Sequence, residues 1–145
     1  RQLIGEMSKD KAIVISTHLL EEVDAVCSRA IVIAQGRKVA DGTPAELERK
    51  SSYFNAVSVR LRAEHRDSLC SALEDMDEVD RVEAEEVQED MVHVVAVSKG
   101  GVPIVTSVNA RIHENKIPVE QLYVERGRLD DVFRQITGGD GKSAQ

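Results

Sequence analysis

The sequence predicts two unlike parts in series: an α/β segment over residues 1–50 and an α+β unit of β-α-β-β-α-β order over residues 53–138, with a disordered tail over 139–145. Two changes of pattern divide it this way. Ala12, Ile13, Val14 and Ile15 form a continuous apolar, mostly β-branched run, the composition of a strand covered on both faces as in a parallel sheet. Beyond the polar break Lys50-Ser51-Ser52, Val57, Val59 and Leu61 alternate with Ser58, Arg60 and Arg62, a strand with one buried and one wet face.

Composition limits the function classes. The 145 residues carry 26 acidic against 19 basic side chains, a formal charge of -7, which argues against nucleic acid or an anionic membrane surface as a partner. No apolar run approaches the roughly 20 residues that span a bilayer, and no signal-peptide pattern opens the chain, so it is expected to be soluble. Cys27 and Cys70 are far apart, form no C-x-x-C pair and fit core thiols in a reducing compartment.

In chain order, Arg1 to Lys9 reads as helix, with Leu3, Ile4 and Met7 on one face. The apolar strand from Ala12 is followed at once by Ser16, Thr17 and His18, at the carboxyl end where open α/β sheets bind ligands. Leu19, Leu20, Val23, Val26 and Cys27 then repeat at helical spacing, and Glu21, Glu22 and Asp24 near the start suit the helix dipole. Ala30 to Ala34 and Lys38 to Asp41 form a hairpin turned by Gln35-Gly36-Arg37. Thr43-Pro44-Ala45-Glu46 is a capping box, opening a short helix to about Lys50.

The run Ile15-Ser16-Thr17-His18-Leu19-Leu20-Glu21-Glu22-Val23, followed by Cys27 to Ile33 and Gly36-Arg37, resembles the switch-histidine region of ATP-binding-cassette (ABC) transporter ATPase subunits. The resemblance implies that residues 1–50 are an α/β fragment of a P-loop ATPase core, and that His18 is the catalytic and cofactor-binding histidine that reaches the γ-phosphate of ATP and helps place the attacking water. A histidine at a strand end is also an ordinary hydrogen-bonded structural residue. Walker A, signature and Walker B motifs do not occur, and Gly139-Asp140-Gly141-Lys142-Ser143 fails as a Walker A loop because Ile136 stands where its first glycine belongs. Alone, the chain is expected not to hydrolyse ATP, and its first fifty residues to be poorly ordered, rearranged or buried against another copy.

In the second part, Leu69, Ala72, Leu73 and Met76 mark a helix, and strands near Val79 to Val87 and from Met91 to Ser98 flank a turn at Gln88-Glu89-Asp90. Gly100 and Gly101 precede Pro103, which opens a helix through Val105, Val108 and Ile112 that Asn115 can end in a left-handed conformation. Val119 to Val124 is the last strand, and Leu129, Val132, Phe133 and Ile136 form a helix closed by Gly138. This order is the ferredoxin-like, split βαβ arrangement. With its ending Leu129-Asp130-Asp131-Val132-Phe133, it resembles the carboxy-terminal domain appended to exporter-branch ABC ATPases. Regulation or subunit contact is the role so implied. In Met91 to Val97 both faces are apolar, so one face of that strand is expected to be free for the final helix, the nucleotide-binding core or a second subunit.

The remaining candidates have simpler explanations. His65, His93 and His113 lack zinc-ligand spacing, so no metal site is expected. Glu83, Glu85, Glu86, Glu89 and Asp90 fit a solvated strand edge, and Arg60 and Arg62 a wet face. Taken with the resemblance, the chain is expected to be the carboxy-terminal part of an ABC ATP-binding protein. Its cofactors would be ATP and Mg2+ in the complete protein. Its partners would be a membrane permease and a second ATP-binding subunit at the cytoplasmic face of the membrane, with a homodimer possible. The alternative is a stand-alone ferredoxin-like module for ligand sensing or interaction, without enzymatic activity.

Overall fold

The computed structural model describes residues 2–88 and 90–138 of a mixed chain of helices and antiparallel sheets, so the expected tail lies outside the described residues. It divides into two compact units. One holds the described residues up to 48 together with those from 129, and the other is Arg49–Arg128. The final helix thus groups with the first unit, whereas the sequence division put it in the second. An amphipathic stripe specifies that a helix face must be covered but not which element covers it.

The first unit contains α1 (Gln2–Met7), α2 (Leu20–Val26), the hairpin β1 (Ala30–Ala34) and β2 (Arg37–Gly42), α3 (Pro44–Glu48) and α6 (Leu129–Ile136). The hairpin turns on two left-handed residues, Gln35 at φ 52° and Gly36 at φ 73°, the geometry that matches the twist of antiparallel strands. At its open end Arg29 grips Asp41 with two hydrogen bonds of 2.8 and 3.0 Å, and chiefly for that reason the Asp41 carboxyl is lowered to about 2. The capping box forms as the residues require. The Glu46 amide donates to Thr43 Oγ1 at 3.2 Å, and the Thr43 amide donates to Glu46 Oε2 at 2.9 Å. Replacing Thr43 by alanine is expected to cost this helix about 1 kcal/mol. The Leu47 amide, bonded to the Thr43 carbonyl, should then exchange its hydrogen roughly fivefold faster.

One expected element is not formed. Ala12 to Ile15 pairs with no strand among the described residues, and Val14 is 94% exposed. A strand exists by virtue of its ladder, and among the described residues β1 and β2 pair only with each other, which leaves this apolar run without a strand partner.

The second unit is β3 (Val57–Arg62), α4 (Arg66–Glu74), β4 (Val79–Gln88), β5 (Met91–Ser98), α5 (Val105–Glu114) and β6 (Gln121–Val124). Its four strands form one antiparallel sheet in the order β4-β5-β3-β6. Period two sends Val57, Val59 and Leu61 of β3, and Val92, Val94 and Ala96 of β5, into one core with Leu69 and Leu73 of α4 and Val108 and Ile112 of α5. Helix α5 starts at Val105 rather than at Pro103, because positive-φ Gly100 and Gly101 form a 3-10 turn and the proline holds Val102 extended. Its end is also shifted. Lys116, not Asn115, adopts the left-handed conformation (φ 51°), and amides 116 and 117 return to the carbonyls of His113 and Ile112 as in a Schellman turn. The Asn115 side chain instead donates to the Arg111 carbonyl at 2.8 Å. The last strand begins at Gln121, two residues later than its β-branched run suggested.

The second face of β5 is only partly open. Val95 and Val97 are buried there with Tyr53 and Ala56, so the segment leading into β3 covers half of the surface expected to be free.

Candidate functional site

His18 lies in a bend between the unpaired apolar run and α2, and its side chain is exposed. Thr17 builds that bend. Its hydroxyl oxygen accepts the Leu19 amide at 3.0 Å, closing a short side-chain turn, and its proton is donated to Glu22 Oε2 at 2.9 Å. This ties the turn to the first turn of α2 and leaves the imidazole outside the knot. In the sequence the signal for this turn is a hydroxyl two residues before an amide together with a glutamate on the following helix, a local pattern that hydropathy does not display. A neutral imidazole carries one donor and one acceptor nitrogen, the pair needed to bridge an anionic oxygen and a water molecule.

The other histidines belong to the second unit. His65 lies in the 3-10 turn Ala63–His65 with Nε2 3.4 Å from Glu64, His93 on β5, and His113 on α5. Among the described residues no group of three His, Cys, Asp or Glu side chains could hold a metal ion. Cys27 and Cys70 are free, half-buried thiols, and burial pushes the Cys70 thiol up.

The second unit holds a polar cluster that patterning did not reveal. The Arg128 guanidinium lies 3.7 Å from the centre of the Tyr53 ring and forks onto Glu125 with bonds of 2.8 and 2.7 Å. The buried Ser58 hydroxyl donates to the same carboxylate at 2.7 Å. Burial pushes the Glu125 carboxyl up, but the bonds from Arg128 and Ser58 outweigh it and hold the group below its ordinary value. On the other side the Tyr53 hydroxyl donates to Glu83, which also accepts from Arg81 Nε at 2.7 Å. Burial and Glu83 together raise the Tyr53 hydroxyl. Glu83 is therefore a network member, not the solvated edge residue its neighbours suggested, while Glu85 and Glu86 are exposed and Glu89 lies outside the described residues. Among the described residues no buried side-chain nitrogen or oxygen lacks a hydrogen-bond partner, which suits a structural lock.

No family model matches the chain. Curated proteins do. It is 29% identical over 127 residues to the daunorubicin resistance ATP-binding protein DrrA2 of Streptomyces coeruleorubidus, covering 87% of this chain and 38% of that protein. It is 26% identical over 143 residues to the Nod factor export ATP-binding protein I of Ralstonia nicotianae, covering 95% of this chain and 42% of that protein. It is 23% identical over 139 residues to ABC transporter A family member 6 of Dictyostelium discoideum, covering 95% of this chain and 8% of that protein. The chain thus spans about two fifths of the length of the first two. Across most of its residues the chain is similar to the ATP-binding proteins of ABC transporters, a likeness consistent with a carboxy-terminal part of such a protein.

Proposed function

We propose that this chain works as part of an ABC transporter ATP-binding protein, to which it supplies the switch-histidine turn and an appended accessory domain. The observation that carries the reading is the succession of the Ser16-Thr17-His18 turn, an acidic helix and a glycine-turned hairpin, within a chain similar to such proteins over 87% or more of its length. ATP bound with Mg2+ would supply the phosphoryl group. On the chain's side, His18 would donate one ring N–H to a γ-phosphate oxygen and orient a water with the other nitrogen, while Thr17 and Glu22 hold the turn. The exposed run from Ile13 to Ile15 would find its strand neighbours in the P-loop core of the complete protein. With the sheet order β4-β5-β3-β6, we read residues 49–128 as a ferredoxin-like contact or regulatory module. The complete protein would sit at the cytoplasmic face of a membrane beside a permease and a second ATP-binding subunit.

Purified by itself, the chain should show no Mg2+-dependent ATP turnover, since one histidine cannot replace the phosphate cradle, lysine and metal-holding carboxylate of a phosphoryl-transfer site. Turnover by the purified chain that His18→Ala abolishes would contradict this. A sensing role for the second unit alone has one observation in its favour, an open groove of about 500 Å³ lined by Arg62, Glu64, His65, Pro118, Val119 and Glu120. A metabolite that raises the melting temperature of the chain, and loses its effect on Arg62→Ala, would establish that role.

A further inference from the structure

The half of the β-sheet face that Tyr53 leaves uncovered carries charges in a self-complementary order. Strand register places Glu85, His93 and Arg60 in one row across β4, β5 and β3, and Gln88, Met91 and Arg62 in the next. With strands about 4.8 Å apart, Glu85 and Arg60 stand about 10 Å from each other on either side of His93. Glu85, Gln88, Arg60 and Arg62 are exposed, and the side chains of Arg60 and Glu85 have no hydrogen bond or ion pair among the described residues.

We propose that this half-face pairs with the same half-face of a second copy of the chain, about a twofold axis running along β5. Such an axis exchanges β4 and β3. It sets Glu85 of each copy over Arg60 of the other and Gln88 over Arg62, with His93 and Met91 near the axis, an isologous contact of two sheets packed face to face. The row itself disfavours other occupants. Glu85 repels a nucleic acid or an acidic peptide drawn to Arg60, and Arg60 repels a basic one, whereas a second copy sets an opposite charge over both Glu85 and Arg60 and a neutral glutamine over Arg62. The half-face is small and its pairs are wet, which makes the dimer weak and sensitive to salt.

This inference rests on the contact-module reading of residues 49–128 and is independent of His18. Sedimentation equilibrium of the 145-residue chain at low ionic strength tests it. The wild type should self-associate, and each of Arg60→Glu and Glu85→Arg should lower the association constant by about tenfold or more, because the twofold makes one substitution act on two pairs. Mixing the two single variants, in which the row of residues 85 and 60 is acidic in one and basic in the other, should restore association, and so should the double variant Arg60→Glu/Glu85→Arg. Added salt should dissociate the wild type, a test that needs no substitution. A wild type that stays monomeric at millimolar concentration, an association indifferent to salt, or single variants that fail to pair when mixed while still folded by circular dichroism would each overturn the proposal. The broader contact-module reading fails on a different result, namely unchanged turnover and transport in the complete protein when residues 49–128 are deleted.

Discussion

Replacing His18 by alanine in the complete ATP-binding protein is expected to leave ATP binding largely intact and to slow hydrolysis by roughly 10²-fold or more. Adenine, ribose and most of the phosphate contacts would come from other parts of the protein. On the proposed reading alanine would remove one hydrogen bond to the oxygen that gains charge and one contact that orients water, and contacts of this kind matter most in the transition state. The signature is therefore a fall in kcat with little change in nucleotide affinity. Thr17→Val should follow in the same direction with a smaller effect, since it removes the hydroxyl that closes the turn but leaves the imidazole in place. An unchanged turnover number for His18→Ala would remove the histidine from the site.

The second large effect concerns stability. Arg128→Ala strips the Glu125 carboxylate, whose side chain is only 8% exposed, of both guanidinium bonds and leaves it the Ser58 hydroxyl alone. Breaking a buried pair on one side costs about 3–5 kcal/mol, and because Arg128 itself is 35% exposed the expected loss is nearer 2 kcal/mol. For a unit of this size that corresponds to a melting temperature lower by about 10 °C. Tyr53→Phe should cost less, about 1 kcal/mol, because Glu83 keeps Arg81 and the ring keeps Arg128. The acid limb provides an independent reading. Glu125 has a folded-state pKa below its ordinary 4.5, so its contribution is fully present above that pH and is lost as pH falls through the lower folded value. Without Arg128, burial becomes the dominant influence and pushes the folded pKa above the unfolded one, so the sign reverses: Glu125 then weighs against the fold at neutral pH, and Arg128→Ala should lose less stability on acidification than the wild type. If urea titrations gave Tyr53→Phe the larger loss, or the two proteins the same acid limb, the lock would lie elsewhere.

Local chemistry made part of this architecture readable from the residues. Thr43 and Glu46 bond reciprocally because their spacing permits little else, and Gln35-Gly36 turns a hairpin because its twist demands left-handed residues. The alternation in β3 and the helical spacing from Leu69 identify their elements because burial follows the backbone period. What patterning could not supply is the identity of a partner. Ala12 to Ile15 has the composition of a buried strand, yet composition brings no ladder. The valines on the second face of β5 needed cover, and nothing in their spacing pointed to Tyr53 or Ala56. The Tyr53–Arg128 contact joins residues remote in sequence, and Lys116 takes the conformation that asparagine usually favours because the Schellman bonds are made one residue further on. At the candidate site the histidine was visible by resemblance, whereas Thr17, which shapes its turn, became visible through its two hydrogen bonds.

The central claim, that His18 meets the γ-phosphate, is tested most directly by the 15N resonances of its imidazole in the complete ATP-binding protein, assigned with His18→Gln. A non-hydrolysable ATP analogue with Mg2+ should shift the ring nitrogens and fix one tautomer, while ADP with Mg2+ should leave them as in the free protein. Ring signals that are the same with the analogue and with ADP would contradict the account.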